Sequence, residues 1–368
     1  MEDIAGRIGV TATSLYRHYS GKYDLFQAAV LGLGQHLVDC TAFIDTVDAD
    51  PQHAWDRAVS ALIDTALTNR TSGGLYRWEG RYLDRGDQLV LNEQINIVNR
   101  RLRLLISQLR PDLGSRQRWI LATAVLSVIG SITDHHAKLA TNRIHATLAK
   151  IARDVRDTDL PQVAATVDRT PIRVTVGAEA GEYEQILHSA MLLFNERGYR
   201  DTGMEDIAAA VDVSTTRIYR LFSGKGAILA AVFRRAADRV SGDLSSILAT
   251  ADGPRDAVGQ LVEAYVRRSF ANPELAYVYY AERMNVPAED QFVLHNIQRA
   301  TVDAWARQVA VVMQEMSADE ARFAVHAGFA LVVDLGRFVR YAPSESALAV
   351  VRHLVLTTLI GDGGPRTS

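Results

Sequence analysis

The chain has one cysteine in 368 residues, Cys40, so it can close no internal disulfide and build no cysteine zinc cluster. It has no apolar run of the roughly 18 residues that a bilayer-spanning helix needs. Its first residues lack the charged-then-apolar order of a secretory signal. An excess of either charge is also missing. The 40 Lys and Arg stand against 43 Asp and Glu, a net charge of -3. That excludes a globally basic coat for nucleic acid but leaves room for a local basic patch. There is no phosphate-cradling glycine loop, no G-x-S-x-G elbow and no H-E-x-x-H pair, so the sequence offers an enzyme reading little support and calls for no cofactor. What remains is a composition ordinary for a globular protein, 48% apolar and 23% charged, and long enough for two domains. A cytoplasmic, non-membrane protein is the expectation.

What the sequence does contain is a repeat. The opening "MEDIAGRIGVTATSLYRHYSGK" returns as "MEDIAAAVDVSTTRIYRLFSGK" at 204–225, and over Met1 to Val30 an ungapped offset of 203 gives 13 identities in 30 positions. Weaker correspondence continues, with "YRWEGRYLDRGDQLVL" at 76–91 against "YVYYAERMNVPAEDQFVL" at 277–294, and 118–130 against 322–334. Such a repeat sets the architecture before any other feature. Apolar residues three and four apart recur along nearly the whole chain, and few runs alternate with period two, which predicts an all-α protein. The exception is "RTPIRVTVGAEAGEY" at 169–183, whose proline, glycines and β-branched residues predict an extended linker. The tail "GDGGPRTS" reads as disordered.

The repeated segment predicts two short helices across a tight turn. In the second copy Ile186, Ala190, Leu193 and Phe194 share one face of a leading helix that Gly198 stops. Thr202-Gly203-Met204-Glu205 has the form of a capping box, and Met204, Ile207, Ala208 and Val211 follow on one inner face. Asp212-Val213 makes the turn, and Ser214 caps the next helix. There Ile218 and Phe222 point inward while Thr216, Tyr219 and Arg220 point outward. The first copy repeats each part: Ile4, Ala5 and Ile8 inward, Thr11 as cap, Leu15 and Tyr19 inward, and Thr13, Tyr16 and Arg17 outward. A helix with an exposed polar, aromatic and basic face fits the major groove. Its hydroxyls and tyrosines can reach base edges or phosphates, and Lys22 and Lys225, at the start of the next helix, add positive charge there. The acidic pairs Glu2-Asp3 and Glu205-Asp206 suit helix starts electrostatically.

The pattern V-(S/T)-x-x-x-(L/I)-Y-x-x-(F/Y)-x-x-K, at Val10 to Lys22 and Val213 to Lys225, resembles the TetR/AcrR family of transcriptional regulators. The resemblance implies two tandem modules, each a helix-turn-helix DNA-binding head followed by a helical body that binds a small-molecule effector and dimerises. The expected layout is a head at 1–35 and body at 36–157, a linker at 158–181, a second head at 182–238 and body at 239–361, and a tail at 362–368. Repression is the sign of control that the resemblance implies.

Two features depart from the family pattern. The first copy shows no leading helix, which would leave apolar surface bare at about 1.5 to 3 kcal/mol per large side chain. A start upstream of Met1 is expected, the rival being a degenerate first head and so a helical ligand-binding or interaction protein with only one working DNA-binding head. The family also obtains two heads from two chains, whereas this chain carries both. An intramolecular pseudo-dimer is therefore expected, with 116–138 and 142–157 packing against 319–341 and 346–361. A homodimer of double chains is the alternative. The reading faces differ, Ala12, Thr13 and Ser14 standing where the second copy has Thr215, Thr216 and Arg217, with His18 in place of Leu221. Two unlike readers call for an imperfect palindrome, and Arg217 is the residue suited to guanine.

In the bodies, the aromatic clusters Tyr76, Trp78, Tyr82 and Tyr277, Tyr279, Tyr280 fall at corresponding positions. The resemblance makes Trp78, Tyr82, Tyr277 and Tyr280 candidate effector-pocket residues, and plain helix core is the competing reading for each. "AERMNVPAEDQ" at 281–291 resembles family members that sense fatty acyl thioesters, so an apolar or acyl thioester effector is expected. His135-His136 reads as a packed or solvated pair, not a metal site, because neighbours on a helix diverge by about 100 degrees and no third ligand is suitably spaced.

Overall fold

The computed structural model describes residues 1–46, 50–161 and 181–361; most of the expected linker and the tail at 362–368 lie outside them. The described residues form sixteen α-helices with short 3-10 and π turns between them, and no strand. They fall into two compact units, Met1–Ala122 and Thr123–Ser368.

The first unit contains α1 (Glu2–Ile8), α2 (Ala12–Tyr16), α3 (Lys22–Cys40), α4 (Pro51–Thr68), α5 (Arg85–Leu109) and the start of α6 (Ser115–Gly130). α3 joins head to body by packing along α5. Tyr23 donates to the Asp87 carboxylate at 2.6 Å and accepts from the Asp84 amide at 2.7 Å, which fixes the start of α5 on α3. Further along, the buried Arg101 of α5 reaches the Val38 carbonyl at 2.6 Å, the Thr41 hydroxyl at 3.0 Å and the Asp45 carboxylate. Three groups around one guanidinium close the far end of that helix pair.

The second unit contains the end of α6, α7 (Thr141–Asp157), α8 (Glu182–Arg197), α9 (Met204–Ala210), α10 (Thr215–Leu221), α11 (Lys225–Thr250), α12 (Pro254–Ala271), α13 (Pro273–Glu282), α14 (Ala288–Val312), α15 (Ala318–Phe338) and α16 (Glu345–Ile360). α8, α9 and α10 cluster at one end of α11 around Phe194, Ile207, Ile218, Ile228 and Phe233. α15, buried along nearly its whole length, forms the centre of the body between α14 and α16. It ends where Arg340 and Tyr341 adopt left-handed backbone angles of 57° and 46°, folding the Tyr341 ring onto Gly336. A Cβ at Gly336 would collide with that ring, so glycine is required there.

The division between units does not follow the tandem layout. It falls at Ala122, because α7 packs on α15 and α16. The Glu320 carboxylate of α15 accepts from Arg143 at 2.8 Å and Thr147 at 3.2 Å, both on α7. Thr158, just after α7, bonds His353 of α16 at 2.7 Å. Nearby, His135 is buried and stacks on His326 at 3.9 Å with the Phe323 ring edge-on, whereas its neighbour His136 is exposed.

Candidate nucleic-acid interface and effector cavity

In the second head, Gly198 ends α8 with a φ of 88°, a conformation that favours glycine. The capping differs from the predicted box. Thr202 is fully buried, and its hydroxyl donates to the Gly198 carbonyl at 2.8 Å, so it braces the end of α8. Gly203 takes the N-cap place, and the Asp206 carboxylate, not that of Glu205, accepts from the Gly203 amide at 2.7 Å. A positive φ of 53° at Asp212 turns the chain, an angle asparagine and aspartate tolerate better than most residues. The Ser214 hydroxyl then accepts from the Arg217 amide at 3.3 Å and starts α10. Ile218 and Phe222 are buried as predicted, while Thr216, Tyr219 and Arg220 lie in the open.

The first head repeats the turn and the reading face. Gly9 is left-handed, and the Thr11 oxygen accepts from the Ser14 amide at 3.1 Å. Thr13, Tyr16 and Arg17 are exposed, Ser14 is half-buried, and Met1, Ala5 and Leu15 make a small core. Its inner face departs from expectation: Ile4 is 37% exposed and Ile8 60%. Ile207, the counterpart of Ile4, is 0% exposed because α8 covers it. The tyrosines behave alike in both heads, Tyr16 being 56% exposed and Tyr219 54%, which frees their hydroxyls for a phosphate instead of a core.

Two cations of the second head are already engaged. Arg217 donates through Nε to both oxygens of Glu182, at 2.8 and 2.7 Å. Lys225, expected beside phosphates, instead gives its ammonium to the carbonyls of Tyr199 (2.7 Å), Arg200 (3.2 Å) and Thr202 (2.9 Å), 4.5 Å from the Tyr199 ring centre. An ammonium has three protons and all three are used. Lys225 therefore fastens the loop between α8 and α9 to α11. Lys22, at the matching place in the first head, is exposed.

The second unit also contains a cavity of about 150 Å³ between α11, α12, α13, α14 and α15. Phe233, Ala237, Val240, Leu294, Ile297 and Phe329 make most of its wall apolar, and Tyr265, Tyr279, Tyr280, Arg268 and Gln298 supply polar atoms. Burial pushes the Tyr279 hydroxyl up to about 12 and raises those of Tyr265 and Tyr280, so all three remain neutral donors at cellular pH. Arg268 is paired with Asp243. Of the four predicted pocket residues, Tyr280 lines this cavity. Tyr277 does not; its ring lies under the Arg337 guanidinium at 4.7 Å. Trp78 and Tyr82 belong to the first unit, one buried and one half-buried, and line no part of it. Tyr265 escaped the sequence reading because helical spacing gives the same signal for core and for cavity wall. Among the described residues no three metal-ligating side chains come together, and no helix is long and apolar enough to cross a membrane.

A capped helix, a tight turn and a second helix with an open polar and basic face, built twice, define a helix-turn-helix DNA-binding protein. The family model for bacterial regulatory proteins of the tetR family matches residues 1–29 and 186–232, which cover both heads. Both segments thus resemble the DNA-binding part of tetR-family transcription regulators. The chain is similar to the HTH-type transcriptional activator FasR of Mycolicibacterium smegmatis, 29% identical over 153 residues that take in 38% of this chain and 70% of that protein. Solved structures similar to it include the ketosteroid regulator KstR2 of Mycobacterium tuberculosis (16% identity, TM-score 0.45, 52% of this chain and 99% of that one). Another is the fatty acid degradation regulator FadR of Bacillus halodurans (20% identity, TM-score 0.43, 52% and 99%).

Proposed function

We propose that the protein represses transcription by reading an imperfect palindrome with two unlike heads carried on one chain, and that an apolar molecule in the second unit's cavity controls this binding. One observation carries the two-headed part: α7, from the first half of the chain, packs against α15 and α16 of the second. Homodimers of this family would join two chains through late helices of their bodies. Here the corresponding contact is intramolecular, through Arg143, Thr147 and Thr158. Covalent linkage holds such partners at an effective concentration on the order of millimolar, so assembly does not depend on dilution. The full chain should therefore sediment near 40.5 kDa. A particle of twice that mass would mean a homodimer with four heads.

The apolar wall with neutral tyrosine hydroxyls favours a ligand with a hydrophobic body and a hydrogen-bonding end, of which an acyl thioester is one example. Repression predicts that deleting the gene raises transcription from an adjoining operator; a fall would assign the activating role named for the mycolicibacterial relative.

Arg217→Ala tests the reading face. In a mobility-shift titration it should weaken one half-site by about 1–3 kcal/mol, the worth of a bidentate guanine contact. Binding to random duplex should change far less. Equal losses on both DNAs would remove Arg217 from base reading. A second reading, in which the second head alone binds DNA, is favoured by the exposure of Ile4 and Ile8. It predicts that Arg17→Ala leaves operator affinity unchanged.

A further inference from the structure

The guanidinium of Arg217 sits 2.7 and 2.8 Å from both oxygens of Glu182, 35 residues earlier in the chain. The contact is made by Nε alone. Among the described residues Nη1 and Nη2 have no other hydrogen-bond partner, so the end of the guanidinium fork that can donate twice to guanine O6 and N7 stays open. Glu182 is itself held. Its neighbour Tyr183 stacks on Phe222 at 5.1 Å, immediately after the recognition helix α10. One residue further on, Glu184 pairs with Arg235 of α11. The first turn of α8 is thus fixed against the end of the recognition helix α10 and against α11.

From this we infer that Glu182 is a positioning residue that sets base specificity in the second head. It fixes Arg217 with its double-donor edge outward, and its negative charge discourages the guanidinium from settling on a phosphate instead. Specificity of this kind works against competing DNA as much as for the correct site. The inference rests on the proposal that the second head reads DNA through Arg217.

The test is selection of a randomised duplex pool by the full chain, comparing the natural sequence with Glu182→Ala, Glu182→Gln and Arg217→Ala, alongside affinity for random duplex at low salt. With Glu182→Ala, guanine preference at the Arg217-dependent position should fall roughly 10-fold, within the range one base contact supplies. Affinity for random duplex should rise about 2-fold to 3-fold as a negative charge leaves the DNA face. Glu182→Gln should keep part of the guanine preference, because its amide oxygen still accepts from Nε, yet share the gain on random duplex. Undiminished guanine preference in Glu182→Ala overturns the inference. So does a parallel loss on every sequence, which is what a merely structural role produces. A separate outcome strikes the reading beneath it: if the natural sequence and Arg217→Ala select the same motif, Arg217 is no base reader.

Discussion

Glu320→Ala should lower the free energy of unfolding by about 2–3 kcal/mol at pH 7, and the deficit should shrink as the solution is acidified towards pH 2. Glu320 caps α15, accepting from the Ser317 amide at 2.8 Å and the Ser317 hydroxyl at 2.7 Å, and it bonds Arg143 and Thr147 of α7. Burial by itself would raise its pKa. The donors from Arg143, Ser317 and Thr147 outweigh that and hold the carboxyl at about 2. An unfolded glutamate titrates near pH 4.3, so the contribution is whole above that value and is lost as pH falls through the folded value. The full shift corresponds to about 3 kcal/mol at 1.36 kcal/mol per pKa unit, somewhat less because Arg143 is half exposed and its charge screened. Denaturant midpoints for both proteins from pH 7 down to pH 3 would measure it. A deficit that stays constant over that range would mean that side-chain packing, not charge, is what Glu320 supplies.

Lys225→Met should cost the second head about 2–3 kcal/mol, since hydrogen bonds from a charged donor contribute about 1.5–3 kcal/mol each and the freed carbonyls can partly rehydrate. All three ammonium protons bond the loop that carries Tyr199, Arg200 and Thr202, and the methionine would keep the stem without the donors. The consequence for DNA is specific. Affinity should fall by one factor on operator and random duplex alike, because less of the head is folded, and the salt dependence should keep its slope. A direct phosphate contact would instead lower that slope by about one on its removal. Thermal unfolding followed beside a salt titration separates the two, and a flattened slope would return Lys225 to the DNA surface.

Both predictions concern side chains whose roles could not be read from their own neighbourhoods in the sequence. Lys225 falls where a phosphate contact is expected, and its real partners lie 23 to 26 residues earlier, in a loop that folds back over α11. Thr202 occupies the first place of a capping pattern, yet the chain enters α9 one residue later and buries it. Ile4 and Ile207 occupy equivalent places in the repeat and differ in exposure because α8 covers one of them. By contrast Gly198, the Asp212 turn and the Ser214 cap were legible, since each acts on backbone within a few residues of itself.

The amino-acid sequence by itself determined the helical character, the two helix-turn-helix segments and the residues on their outer faces. These depend on periodicity, caps and turns, which act over three to seven positions. Tertiary structure decided which cations face outward, which aromatic side chains from four different helices enclose the cavity, and which late helices pair. Those outcomes depend on burial and on donors and acceptors meeting across long stretches of chain, as when Glu320 finds Arg143 at a separation of 177 residues. No local pattern encodes such a meeting, because its free energy arises only when the helices have packed and water has left the space between them.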